Sequence, residues 1–249
     1  MAAESVGMSQ KKKDRAATIG MIIFFSILAI LTVLPIYLLV LASFKPGNFL
    51  LQYGLNLNLD IPHLTLDNYK LLFTGKHDYW TWFGNSLILT VITVILTLAI
   101  SAFVAYGFAA YDFKGKNFLF IIVLLILSVP FEVIMLPLYK QISSWGMMDS
   151  YVSVVLPFLA HASTIFFFRQ YLLGLPKSLI EAGRIDGATE YGIFFKLIVP
   201  IMKPAFSAMA ILNGMNAWNN YLWPLLVIRS ADKYLSLIHI SEPTRQEAI

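Results

Sequence analysis

Five stretches of the chain, at 18–44, 83–110, 118–139, 151–173 and 198–228, are apolar over about 20 residues or more. A helix rises about 1.5 Å per residue and the hydrocarbon core of a bilayer is about 30 Å thick, so each run is long enough to cross it once. Inside a bilayer the backbone must satisfy its own hydrogen bonds, which a helix does within one segment. The expected fold is therefore all-α, a polytopic membrane protein with five visible transmembrane helices. Composition agrees, since 58% of the 249 residues are hydrophobic and 13% are charged, too apolar a balance for a soluble domain. The absence of cysteine removes disulfides and thiolate metal sites.

Charge orients the crossings. Residues 1–17 are polar, include Lys11, Lys12, Lys13 and Arg15, and read as a cytoplasmic N-terminal tail; the run at 18–44 is too long for the apolar core of a signal peptide. Alternating the crossings places eleven Lys and Arg on the side of that tail, among them Lys114, Lys116, Arg169, Lys177, Arg184, Lys196 and Lys203. Six fall on the other side: Lys45, Lys70, Lys76, Lys140, Arg229 and Lys233. The positive-inside rule then puts 45–82 outside as the longest loop and 174–200 in the cytoplasm. The excess of 18 basic over 14 acidic residues is a matter of topology and carries no nucleic-acid signal.

The segment 174–200 is a polar island between two apolar runs. Pro176 suits the first turn of a helix over 177–185, which sets Leu179, Ile180 and Ala182 on one face with Glu181 and Arg184 turned away. Asp186 and Gly187 end it, because glycine accepts the left-handed backbone of a helix stop. Thr189 then caps a second short helix in which Tyr191, Phe194, Phe195 and Ile198 supply apolar contacts. Pro200 and Pro204 redirect the chain. Two short helices and a turn make a knob able to dock into a partner's groove.

Glu181, Ala182, Gly183, then Asp186, Gly187, Ala188, then Val199 and Pro200 closely resemble the cytoplasmic EAA loop of the inner-membrane permeases of bacterial ABC importers. Gly183 stands where a second alanine is usual and Val199 where leucine is common. Ser43-Phe44-Lys45-Pro46, Leu66-Asp67-Asn68-Tyr69 and Asn85-Ser86 resemble landmarks of the branch that imports sugars and glycerol phosphate. The resemblance implies a transport subunit of the bacterial inner membrane. Its coupling residues would be Glu181, Ala182, Gly183, Asp186, Gly187 and Ala188, seated in a cleft of a separate ATPase dimer that binds ATP and Mg. A second homologous permease, an extracytoplasmic solute-binding protein and membrane lipid would complete its partners.

The end of the chain reads differently. Residues 235–245 translate, codon for codon, a transposase-type sequencing-library adapter, so 235–249 are expected not to be native and the transport domain to occupy 18–234. A sixth crossing, usual in the family, is then expected in the native continuation.

Polar groups within the apolar runs mark the path. Asn213, Asn216, Asn219 and Asn220 cluster in the fifth run with Trp218, Tyr221 and Trp223. Amides in hydrocarbon are costly unless paired, so they face other helices or a wet cavity. Amides and aromatic rings suit a neutral, hydroxyl-rich solute, and the same segment resembles the path-lining helix of the sugar importers. Two readings stay open for them, solute contact and interhelical hydrogen bonding. Two also stay open for Glu132, between Pro130 and Pro137: gating or proton coupling, and a solvated structural carboxylate near the outer surface. His161 reads as packed or cavity-lining rather than a metal ligand, since no second ligand stands at helical spacing.

No phosphate-binding Gly-x-x-x-x-Gly-Lys-Ser/Thr loop, serine hydrolase motif or His-Glu-x-x-His helix occurs, so catalysis belongs to a partner. The expected function is the membrane path for a carbohydrate or polyol phosphate. The alternatives are the same architecture with a peptide or amino-acid cargo, and an ion-coupled secondary transporter, for which no inverted repeat is visible.

Overall fold

The computed structural model describes residues 2–46, 49, 54, 63–74 and 79–236. Much of the external loop expected between 45 and 82, and residues 237–249 of the expected adapter tail, lie outside the described residues. Among those described, the chain forms helices and turns and no strand. It divides into two units, Met1–His77 and Asp78–Ile249.

In the first unit, α1 (Ala2–Ser43) is one helix that passes through Pro35; most of its apolar side chains from Ile19 to Val40 are exposed, and Leu41 and Ala42 are buried. It takes in residues 2–17, expected as a separate tail. Alanines and lysines there are strong helix formers, and no proline intervenes. Beyond α1 the two landmark tetrapeptides meet. Asn68 at the start of α2 (Asp67–Thr74) donates to the carbonyls of Ser43 and Lys45 at 2.9 and 2.8 Å, and the hydroxyls of Ser43 and Tyr69 lie 2.7 Å apart.

The second unit is organised on α3 (Tyr79–Ala110), an unbroken 32-residue helix about 48 Å long. It packs against α7 (Ala162–Leu173) and α11 (Lys203–Trp218). The run expected as one crossing at 118–139 is two helices, α4 (Lys116–Leu127) and α5 (Phe131–Ser144), which meet at 102°. Pro130 lacks the amide that would continue α4, so the chain turns there. Helix α6 (Tyr151–Val155) continues as a 3₁₀ turn to Phe158 and joins α7 at 41°.

The island contains α8 (Ser178–Ile185) and α9 (Glu190–Ile193); a π turn, Phe194–Ile198, and α10 (Val199–Ile201) lead at 75° into α11. The fifth run is thus not one helix. It breaks at Asn219 to Tyr221 before α12 (Leu222–Val227). Among the described residues two helices are long and apolar enough to cross a membrane, or up to five if each bent pair is one span.

Two larger cores and a smaller one, of Phe108, Phe120 and Ile165, hold the second unit. One of the larger pair joins Ala102, Ala105 and Tyr106 of α3 to Phe168, Leu172, Ile193, Phe194, Ile198 and Met202. The other surrounds Trp223, whose indole donates to the Ser153 carbonyl at 2.8 Å. The tie between the α5–α6 turn and the chain after α12 is polar. Asp149 accepts from the backbone amides of Arg229 and Ser230 at 2.9 Å each, from the Ser230 hydroxyl and from Lys233 at 3.2 Å. These donors, the Ser230 hydroxyl foremost, hold its carboxyl far below the usual carboxylate range. The landmark Asn85 donates to the carbonyls of Asp232 and Tyr234 at 3.0 and 3.1 Å. Leu235 and Ser236, the described start of the expected adapter tail, are buried, and the Ser236 amide donates to Ser86 at 2.9 Å.

Candidate functional site: a knob and the cavity it reaches

The knob forms as its residues dictate. Gly187 adopts φ 75°, and the amides of Gly187 and Ala188 donate to the carbonyls of Arg184 and Gly183 at 3.1 and 3.0 Å, the bonding pattern of a glycine helix stop. The Thr189 hydroxyl accepts from the Gly192 amide at 3.1 Å and caps α9. Helices α8 and α9 then press together. A β-carbon on Gly183 would lie 3.0 Å from Ile193, so glycine is what the close approach admits.

The knob presents Glu181, Ala182, Asp186, Gly187 and Ala188 outward, all exposed, with Gly183 half-buried beneath them. Ile185 and Tyr191 are exposed too, at 85% and 73%. Of the four apolar contacts expected from α9 onward, Phe194 and Ile198 are buried, Phe195 keeps ring contacts to Phe103 and Phe194, and Tyr191 instead projects from the knob. Tyr191 stands two residues before the buried Ile193 in α9, which at helical spacing puts it on the opposite face.

Glu190, which the sequence reading passed over, is the polar centre of this region. Arg184 donates to its Oε1 at 2.7 Å, while Tyr111 and Tyr106 donate to Oε2 at 2.6 and 3.2 Å. Arg184, then the Tyr111 hydroxyl, hold its carboxyl down to about 2 against the opposing effect of desolvation. A glutamate in the first turn of a helix is ordinarily explained by the helix dipole, and its tyrosine partners, on α3 and just past its end, stand about 80 positions back in sequence, where no local signal reaches.

A cavity of about 420 Å³ lies in the same unit between α3, α5, α11 and α12. Helix α3 contributes Ser86, Thr90, Thr93 and Thr97, hydroxyls recurring every three or four residues along one face. That spacing was readable in the sequence. Helix α11 contributes Asn213, Asn216 and Trp218, and Asn220, Glu132, His161, Phe131 and Phe158 complete much of the wall. Asn219 and Tyr221 do not line it. Asn219 closes the end of α11, and Tyr221 packs against the Trp223 core.

The amides divide by role. Asn213 donates to the Thr164 hydroxyl at 3.0 Å and to the Met209 carbonyl at 2.9 Å, and is 7% exposed. Its amide is therefore engaged between α11 and α7. Asn216 is exposed and Asn220 half-buried at the cavity. The Nδ1 atom of His161 lies 2.8 Å from the Ser163 hydroxyl. Glu132 is the one acidic residue among the described lining residues, and no Lys or Arg lines the cavity with it. Such a wall can exchange hydrogen bonds with a hydroxyl-rich solute and stack an aromatic face on it. Among the described residues no group of three His, Asp or Glu could hold a metal ion.

Comparison with known proteins adds to this geometry. The sequence profile of the family described as binding-protein-dependent transport system inner membrane component matches residues 100–242. The arabinooligosaccharides transport system permease protein AraQ of Bacillus subtilis is 49% identical over 223 residues, 90% of this chain and 79% of that protein. The sn-glycerol-3-phosphate transport system permease protein UgpE of Yersinia pestis is 30% identical over 220 residues, 85% of this chain and 78% of that protein. In fold, the chain is similar to the crystal structure of a bacterial ABC transporter involved in the import of the acidic polysaccharide alginate. The TM-score is 0.83 at 22% identity, over 95% of this chain and 83% of that one.

Proposed function

Since the chain belongs to the family of inner membrane components of binding-protein-dependent transport systems, we infer that its cavity is a stretch of the translocation path and its knob the part that engages the ATPase. The chain is a permease subunit of an ABC importer for carbohydrate or a polyol phosphate, a transport subunit rather than an enzyme, and it works in the inner membrane with a solute-binding protein and an ATPase. The observation that carries the inference is a connection: α11, which bears Asn213 and Asn216 in the cavity wall, runs back through α10 and the π turn into the knob.

The finer assignments extend that reading. The knob faces the cytoplasm together with the N-terminus, as the eleven-to-six distribution of basic residues supports. Glu181, Asp186 and Gly187 form the contact with the ATPase, which holds ATP and Mg. A second, homologous permease supplies the opposite wall of the path. When ATP closes the ATPase dimer, the knobs are drawn together and the cavity turns outward, so nucleotide biases two conformations.

Of the two cargo classes, carbohydrate and polyol phosphate, the described lining favours the neutral carbohydrate. Among the relatives, one is named for arabinooligosaccharides and one for glycerol-3-phosphate. A phosphate would meet the carboxylate of Glu132 in a wall with no Lys or Arg among its described residues, and like charges oppose entry. The test is uptake of labelled arabino-oligosaccharide into proteoliposomes carrying the whole importer. Uptake should require ATP and the solute-binding protein and yield to unlabelled oligosaccharide but not to glycerol phosphate. Uptake that follows an ion gradient without ATP would overturn the assignment.

A further inference from the structure

A knob that drives a cavity must grip both of its walls. One grip is covalent, through α10 into α11. The other wall is α3, which lines the cavity with Ser86, Thr90, Thr93 and Thr97, the Ser86 and Thr97 hydroxyls bonded to Ser236 and the Phe158 carbonyl, and whose far end, at Tyr106, lies against the knob. No peptide bond joins α3 to the knob directly. What joins them is packing, with Phe103 stacked on Phe194 at 4.5 Å between centroids, and the Glu190 carboxylate.

Apolar packing resists separation but is non-directional, so one helix can slide along another at small cost. Hydrogen bonds to a charged acceptor are directional and about twice as strong as neutral ones. Glu190 has both oxygens engaged. Oε1 takes Arg184 of α8, and Oε2 takes Tyr106 within α3 and Tyr111 just past its end. The Arg184 guanidinium also sits over the Tyr111 ring at 5.6 Å. The two tyrosines are five residues apart along the chain, so a slide of the knob along α3 cannot keep both bonds.

We propose that Glu190 is a positioning residue for coupling: it locks α8 and α9 in register with the end of α3, so that displacement of the knob moves the hydroxyl wall of the cavity together with the amide wall. The proposal rests on the knob being the ATPase contact. Without the lock, ATP would move α11 while α3 lags, and hydrolysis would run with less transport.

The experiment uses the whole importer, purified with its ATPase, sister permease and solute-binding protein and placed in proteoliposomes. It reads labelled arabino-oligosaccharide taken up per ATP hydrolysed. Glu190→Ala should lower that ratio by about tenfold, and Tyr111→Phe, which removes one exposed hydroxyl and leaves the packing, by about threefold. Should Glu190→Ala not assemble, Tyr111→Phe together with Tyr106→Phe decides. An unchanged ratio in those variants overturns the lock. Gly187→Pro separates this from the parent reading: if it leaves the ratio unchanged, the knob is not the coupling element; if it lowers the ratio while the Glu190 and tyrosine variants do not, only the lock is wrong.

Discussion

Asn213 and Thr164 hold α11 to α7 through a reciprocal pair of contacts, amide to hydroxyl at 3.0 Å and hydroxyl to amide oxygen at 3.3 Å. Both residues are buried, so the pair serves the helix interface although Asn213 also borders the cavity. Thr164→Val is expected to cost about 1 kcal/mol, the scale of an interhelical hydrogen bond in a membrane protein, and to lower the melting temperature in detergent. Asn216→Ala should do the reverse, leaving the melting temperature in place and lowering uptake. If Thr164→Val lowers uptake without any loss of stability, the division of roles is wrong.

The backbone at Gly187 permits a second prediction. Its φ of 75° is disallowed to proline and costs an L-residue about 1–2 kcal/mol. Gly187→Ala should weaken coupling modestly and Gly187→Pro abolish it, both measured as cargo moved per ATP. An order reversed between the two would show that the left-handed turn is not what matters.

Gly183 sets two effects against each other. Alanine in a helix is favoured over glycine by about 1 kcal/mol, whereas over-filling a packed contact costs about 1–3 kcal/mol. The contact is Ile193 at 3.0 Å, itself 1% exposed, so its side chain has little room to yield. Crowding should win: Gly183→Ala is expected to lower the melting temperature slightly, and Gly183→Ala with Ile193→Val to restore it.

Asp149 predicts a pH dependence. Its carboxyl is held below its unfolded value, so its contribution is present above about pH 4 and is lost as pH falls through the folded value. Asparagine tolerates the backbone at φ 57° and so removes the charge without adding strain. Asp149→Asn should melt below the native chain at pH 7, and the gap between the two should narrow progressively as pH falls below about 4. A gap that stays constant would mean the charge contributes nothing.

The knob was legible because its chemistry is local. Gly187 and Thr189 act within four residues of themselves, and turn and cap rules reach that far. Tyr191 projects because Ile193, two residues on, is the side chain of α9 that packs inward, a choice set by the close approach of α8 rather than by local residue order. The cavity was half legible: amides in an apolar run draw attention, but which of them spends its hydrogen bonds on Thr164, 49 positions away, is a property of packing. Glu190 was invisible for the same reason, as was the angle at Pro130, where the proline was evident and the 102° was not.

That corner has a consequence for the lipid around the protein. Helix α4 has 12 residues and reaches about 18 Å, well short of the roughly 30 Å of hydrocarbon, whereas α3 in the same unit exceeds it. An apolar helix longer than the hydrocarbon is thick, α3, thus stands in one unit with the much shorter α4. Spans of such unequal length are met by tilt of the subunit or by a local change in bilayer thickness, so membrane thickness becomes a variable of transport in its own right.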